Sequence, residues 1–553
     1  MQNVTNRYRF ILFLFGSLFI HDALRSQDFF YRFTFTDKIG CGYELQRPEE
    51  FLSERCIERR KRWNIPFDER DLPISEQYVT ALQQAVGGIV HCRSRWFNTV
   101  VMQLSDTALL DAAEQLPFVD HASRLKSFKK PKEVISEKSD PIDIFCNDDA
   151  FYGKSCGQIA MLNGQSLHKM GYTGKGVHVA QLDAGWVSAD QLPCFKRLWD
   201  ENRIGLIRDF AYPYGANIFA LNSHGTSVLS IMAAYWPDSL IGAAPDATYH
   251  LFRSEDPLSE TNLEEDNWVA AAELADSIGA DIINSSLGYS LFDSSWMDYN
   301  YSDMNGDVAW CTQGADIAAE KGILVVNSAG NSGLSQWHHI TAPSDGDNVL
   351  AVGAVDMNRS FATFSGWGPS SDGDVKPDVC AQGRGTYFAG LDSTVRIGNG
   401  TSFSAPLIAG MAACLMQAAP GSSPSEIREA IRKSAHLFKS PNDSLGYGIP
   451  DMMKALALLR GDGSDESIEW MVYPNPFDEL INVILPCALP PCLMHWKLID
   501  SSGKEVLFGD FNAAGSGMVP FELSSDSLAA GSYTLVVDSE NKKQFFQLLK
   551  ITP

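Results

Sequence analysis

The chain has 553 residues, of which 45% are hydrophobic, and a net charge of −24 at neutral pH. That length exceeds one ordinary hydrophobic core, so several domains are expected, and the apolar content excludes a disordered chain. An excess of acid excludes nucleic-acid binding, which requires concentrated basic surface, and suits a soluble exported protein.

Residues 1–26 read as a signal peptide. Arg7 and Arg9 form a basic region, Phe10 to Ile20 is an apolar run too short to span a bilayer comfortably, and small residues near Ala23 and Ser26 suit cleavage. An uncleaved anchor is the alternative. Residues 28–125 alternate strand-like and helix-like runs, as an α+β domain does: strand Phe30 to Thr36, helix Pro48 to Trp63, extended chain from Gly88 to Leu104, helix Thr107 to Gln115 and strand Phe118 to Leu125. Acidic Glu49 and Glu50 open the first helix and Arg59, Arg60 and Lys61 close it, matching the helix dipole. The linker 126–144 carries Lys129, Lys130, Lys132 and Lys138 and is either an accessible maturation site or a solvated tether that stays intact.

Residues 145–460 alternate short apolar strands with helix-period runs. Val269, Ala272, Ala275 and Ile278, for example, recur at helical spacing between strands at Leu251 and Ile282. The pattern predicts an α/β domain with a doubly wound, mainly parallel sheet. Two helices close it, Pro424 to Ala435, with Ser423 and Glu426 as a capping box, and Asp451 to Leu459. Past the linker Gly461-Asp462-Gly463-Ser464, residues 468–553 alternate apolar and polar side chains, predicting a small β-sandwich.

Three glycine-flanked boxes carry the chemistry: Asp183-Ala184-Gly185 at the end of the apolar run Val177 to Leu182, His224-Gly225-Thr226 opening a helical stretch to Tyr235, and Gly400-Thr401-Ser402-Phe403-Ser404-Ala405-Pro406 opening another from Ser404 to Gln417, with Pro406 placed in its first turn. A serine hydroxyl is a weak nucleophile at neutral pH and needs a base in hydrogen-bond reach, itself oriented by a third group. Histidine, with an ordinary pKa near 6.5, suits the base, and a buried carboxylate suits the orienting group. Taken singly each box has a bland reading as a turn, a helix start or a cap.

In order and in context, the boxes resemble the subtilisin-like serine peptidases, the subtilases. The resemblance implies that Ser402 is the nucleophile, His224 the general base and Asp183 its orienting carboxylate. It extends to Ile323 through Gly333, where Asn331 inherits the role of oxyanion donor beside the Ser402 backbone N–H. The run Asp281 to Tyr289 is similar to the family strand that pairs with extended substrate, so Ser286, Leu287 and Gly288 would line the primary specificity pocket opposite Ser328, Ala329 and Gly330. Three positions depart from common family usage, Ala184, Ser227 and Ser404, and none of them carries a proton in the mechanism.

Residues 28–125 resemble the inhibitory prodomain of subtilases, which assists folding and leaves its tail in the cleft. Tyr473-Pro474-Asn475-Pro476-Phe477 and Gly531-Ser532-Tyr533 resemble the C-terminal sorting domain of type IX secretion, with a carbohydrate-binding or adhesive sandwich as the alternative. The whole is expected to be a secreted or cell-surface serine endopeptidase made as a zymogen. Its expected partners are peptide or protein substrates, its own prodomain and the type IX machinery. Peptide ligation on the same residues and a surface-binding protein on an inactive scaffold are the competing readings.

There is no His-Glu-x-x-His and no cysteine pair with zinc spacing, so no cofactor is expected for the chemistry. Asp303, Asn305 and Asp307 resemble the start of a calcium loop, although the twelfth position is Gly314, and a solvated acidic turn is the alternative. The 11 cysteines are odd in number; Cys487 with Cys492 and Cys146 with Cys156 are candidate local bridges, and Cys380 and Cys414 read as buried thiols.

Overall fold

The computed structural model describes residues 29–126, 150–215, 217–460 and most of 463–550. The expected signal segment, nearly all of the linker, and Cys146 and Cys487 lie outside the described residues.

The N-terminal domain is one antiparallel sheet with helices packed on it. Its elements are β1 (Phe29–Phe35), α1 (Glu54–Arg62), α2 (Glu76–Val86), β2 (Ile89–Ser94), β3 (Thr99–Leu104), α3 (Leu110–Glu114) and β4 (Val119–Lys126), with strand order β2-β3-β1-β4. The helix expected over 48–63 is split. Pro48–Glu50 is a single 3-10 turn, and α1 begins only after Ser53, whose hydroxyl accepts the Cys56 N–H at 3.2 Å. The sequence reading passed over α2, although Val79, Leu82 and Val86 bury one helical face and Gly87 ends it in the left-handed region at φ 69°. Those side chains meet Phe33, Val100 and Met102 from the sheet in a core of their own.

Seven parallel strands form the sheet of the second domain: β5 (His178–Asp183), β6 (Ile204–Asp209), β7 (Thr248–Arg253), β8 (Ile282–Ser285), β9 (Leu324–Ser328), β10 (Leu350–Val355) and β11 (Val379–Gln382), in the order β11-β10-β9-β8-β5-β7-β6. Strands buried on both faces read as unbroken apolar runs. Val179, Leu251 and Val326 enter one core, with α4 (His224–Ala233) and α7 (Thr401–Ala418); Ala180, Leu182 and Val325 enter the other, with α5 (Asn262–Ile278) and α6 (Trp310–Glu320). Chain order reverses between β5 and β8, the crevice where open α/β sheets place ligands. The closing helices are α8 (Pro424–Ser434), whose capping box of Ser423 and Glu426 forms as expected, and α9 (Met452–Leu459).

The C-terminal segment forms two antiparallel sheets. One joins β12 (Met471–Tyr473), β13 (Leu480–Leu485) and β16 (Gly517–Glu522); the other runs β15 (Glu505–Ala513), β14 (Cys492–Asp500), β17 (Gly531–Ser539), β18 (Lys542–Lys550). Val472 of the first packs on Met494, Leu498 and Leu535 of the second, as in a sandwich.

The N-terminal domain docks on α5 through charge. Asp276 receives Arg59, Arg60 and Arg95; Asp266 receives Arg32 at 2.6 Å; and Glu273 accepts the Arg95 and Trp96 backbone N–H groups at 2.9 and 3.1 Å.

Candidate active site

Asp183 ends β5 and is fully buried. Its Oδ1 accepts the Ala184 N–H at 2.7 Å, and its Oδ2 accepts from Gln181 Nε2 at 3.3 Å. The Gln181 amide also donates to the Gly225 carbonyl at 2.9 Å and accepts from Trp186 Nε1 at 3.2 Å, which leaves it one orientation. Sequence reasoning missed Gln181, although period-two alternation puts it on the face of β5 that carries Asp183.

His224 is the first residue of α4, and its N–H donates to Asn222 Oδ1 at 2.8 Å. Its ring meets Asp183 with Nδ1 2.7 Å from Oδ1. Burial disfavours the imidazolium, but the charge of Asp183 and this hydrogen bond outweigh it, so the His224 pKa stands above its ordinary value of 6.5. The two loops touch at glycine: a Cβ on Gly225 would lie 2.6 Å from the Gly185 carbonyl oxygen, so a side chain there would drive histidine and carboxylate apart.

Ser402 is the second residue of α7. Its N–H has no acceptor in a preceding turn and points from the positive helix end. Pro406 lies in the second turn, one turn later than the sequence suggested, because the helix starts at Thr401. A proline there lacks the N–H that would bond the carbonyl four residues back, which is that of Ser402. The Ser286 hydroxyl donates to this carbonyl instead, at 3.1 Å. The Ser402 hydroxyl donates to the Ser286 carbonyl at 3.3 Å.

Asn331 follows β9. Its Oδ1 accepts from both the Thr401 N–H, at 2.8 Å, and the Thr401 hydroxyl, at 2.9 Å. With the oxygen doubly engaged, Nδ2 faces the turn before Ser402 and would lie 3.7 Å from a Cβ on Gly400. Thr401 is therefore a positioning group that the motif alone did not reveal.

Ser286 to Gly288 continue β8, and Ser328 to Gly330 continue β9. Asn327 Nδ2 ties these walls together, donating to the carbonyls of Leu287 at 3.1 Å and Ser328 at 3.0 Å. Thr341 stands between them: a Cβ on Gly288 would lie 2.2 Å from its hydroxyl and one on Gly330 2.7 Å. That hydroxyl is buried without a hydrogen-bond partner.

In the calcium-like turn, Asp303 accepts the Asn300 N–H at 2.7 Å and Asn305 accepts the Asp307 N–H at 3.1 Å. Among the described residues, two acidic triads bring their oxygens within 4.8 Å of one another: Asp347, Asp372 and Asp374, all exposed, and Glu255, Glu260 and Glu264, the first and last of them buried. Cys380 and Cys414 are free and buried, and burial pushes both thiol pKa values up. Cys156 is disulfide-bonded.

The subtilase family model matches residues 174–448. Subtilisin DY of Bacillus licheniformis is 32% identical over 229 residues, 41% of this chain and 74% of that protein. The membrane-bound transcription factor site-1 protease of Mus musculus is 27% identical over 312 residues, 54% of this chain, which spans only 26% of that longer protein. Among solved structures, that of the prenylagaramide maturation protease PagA aligns over 54% of this chain and 99% of its own, at 24% identity and a TM-score of 0.42.

The chain belongs to the subtilase family. That family is one of subtilisin-like serine peptidases. Residues 30–140 match the S8 propeptide domain of Bacteroidota, and residues 471–550 match a secretion-system C-terminal sorting domain, which marks the protein for export to the cell surface or beyond.

Proposed function

We propose that the protein is a secreted serine endopeptidase that cleaves peptide bonds through an acyl-enzyme on Asp183, His224 and Ser402. The observation that carries this reading is the 2.7 Å contact between His224 Nδ1 and the buried Asp183 carboxylate, which leaves Nε2 as the ring's free basic nitrogen. The Ser402 hydroxyl rotates to Nε2, gives up its proton and attacks the scissile carbonyl. Asn331 Nδ2 and the Ser402 N–H hold the oxyanion, His224 returns the proton to the leaving amine, and water then hydrolyses the ester by the same route. No metal enters any step. Residues 28–125 act as inhibitor until they are removed, and the sorting domain is read by type IX secretion machinery. Cutting within 126–144 is the maturation step.

A binding protein on an inactive scaffold is the second reading, and the bond of the Ser402 hydroxyl to Ser286 rather than His224 is what favours it. A fluorophosphonate probe separates the two. Matured protein is expected to be labelled at Ser402, weakly while the prodomain stays bound, and Ser402→Ala not at all; folded, matured protein that resists the probe would overturn the peptidase mechanism.

A further inference from the structure

The loop that follows β7 carries a concentration of acid whose purpose lies outside the chemistry above. Asp256 is 8% exposed, and its carboxylate accepts from the Tyr212 hydroxyl and from the Leu258 N–H, which fixes its direction. The remaining oxygen, Oδ2, takes the Ser259 hydroxyl at 2.9 Å and the Lys126 ammonium at 3.2 Å; the same ammonium lies 3.1 Å from the Ser259 oxygen. Around this pair, the carboxylates of Glu255, Glu260 and Glu264 crowd within 4.8 Å of one another. Burial and the charges of Glu255 and Glu260 push the Glu264 pKa well up, while Lys126 pulls it down. The cation that Asp256 and Ser259 hold at this acidic cluster is the Lys126 ammonium, which the N-terminal segment supplies.

The site is joined to both halves of the substrate crevice. Ser254, two residues before Asp256, donates its N–H to the Asp183 carbonyl at 3.2 Å. Tyr289, the residue after the pocket wall Ser286 to Gly288, gives its hydroxyl to Glu255, and the Glu260 N–H bonds Asp293 at 3.1 Å. The acid therefore flanks the far end of the strand whose near end, Ser286, touches Ser402. The segment 127–144, which holds the expected maturation site, lies on the carboxyl-terminal side of Lys126 in the chain.

We infer that Asp256 and Ser259, backed by Glu255, Glu260 and Glu264, form a subsite for a lysine or arginine side chain of the substrate on the amino-terminal side of the bond cut, and that Lys126 occupies this subsite in the precursor. The inference rests on the peptidase reading. Loss of the prodomain empties the subsite of its cation, and a basic substrate residue restores it. An ammonium held by one buried carboxylate and one hydroxyl is worth a charge-assisted hydrogen bond, so a neutral isostere is expected to be cut about 10- to 100-fold less efficiently.

The test uses the matured enzyme, titrated with a fluorophosphonate and assayed in chelator so that no divalent cation competes. Internally quenched peptides carry lysine or norleucine at each position upstream of the cut. At one position the lysine peptide should show the higher kcat/KM by that factor, and the ratio should fall toward one in Asp256→Asn. Equal kcat/KM for every lysine–norleucine pair in the wild-type enzyme overturns the subsite, even if the variant fails to fold. So does a ratio that survives intact in folded Asp256→Asn. If no peptide of either kind is cut, the peptidase reading itself fails, a distinguishable result.

Discussion

Asp276 is the most consequential residue of the prodomain interface. It is fully buried on α5 and collects Arg59, Arg60 at 3.0 Å and Arg95 at 2.6 Å, all three from the prodomain. Burial alone would raise its pKa, but the three guanidinium charges win and hold it below the ordinary carboxylate range. The contribution to docking is therefore complete above the free carboxylate's range and lost only as pH falls through the depressed bound value. Asp276→Asn keeps the shape and removes the charge, leaving the buried Arg59 without its carboxylate while Arg60 keeps Asp71 at 3.0 Å. Breaking a buried pair from one side costs about 3–5 kcal/mol, which at about 1.36 kcal/mol per decade is between a hundredfold and several thousandfold in affinity. Since interface changes act mainly on dissociation, processed prodomain should leave the variant faster by about that factor. The assay is the lag before peptidase activity appears when the cleaved complex is diluted. An unchanged lag in folded Asp276→Asn would refute the view that these ion pairs hold the enzyme latent.

The raised pKa of His224 places the acidic limb of kcat/KM above pH 6.5, because the base must be neutral to accept the Ser402 proton and only loses its own proton at higher pH; a limb centred below 6.5 would contradict this. Asn331→Leu should lower kcat by about 10² to 10³ with KM little changed, a magnitude carried over from subtilisin, and a pure KM effect would reassign Asn331 to substrate binding. Chelator should leave kcat per titrated active site unaltered, and a proportional loss would place a metal in the chemistry. Deleting 468–553 should leave a peptidase active in vitro but stranded in the periplasm of a host with type IX secretion, and surface delivery of the truncated protein would remove the sorting role.

The meeting of Asp183 with His224 was legible because each sits in a short glycine-flanked box whose residue types are dictated by chemistry. The parallel sheet was legible because its strands are unbroken apolar runs. What escaped depends on contacts between distant segments. Gln181 is one amide in an apolar strand until the fold brings it beside Gly225 and Trp186, and Thr341 gains meaning only between Gly288 and Gly330. A helix start at Ser404 puts Pro406 in the first turn; the helix instead starts at Thr401, whose N–H is bonded by Asn331, 70 residues away in sequence. The helix expected from Pro48 broke at Ser53, whose preference for capping competes with continuing a helix.

The proline in α7 has a consequence for how this enzyme loses function. The Ser402 carbonyl is bonded not by the residue four places on, which is Pro406, but by a hydroxyl from the neighbouring strand extension, so the helical ladder alone does not hold Ser402 in register. Conditions that loosen side-chain packing while sparing the backbone ladders, as in a molten globule, release Ser286 from Ser402 first. Turnover is then a gauge of tertiary order, failing while the far-ultraviolet helical signal is still intact.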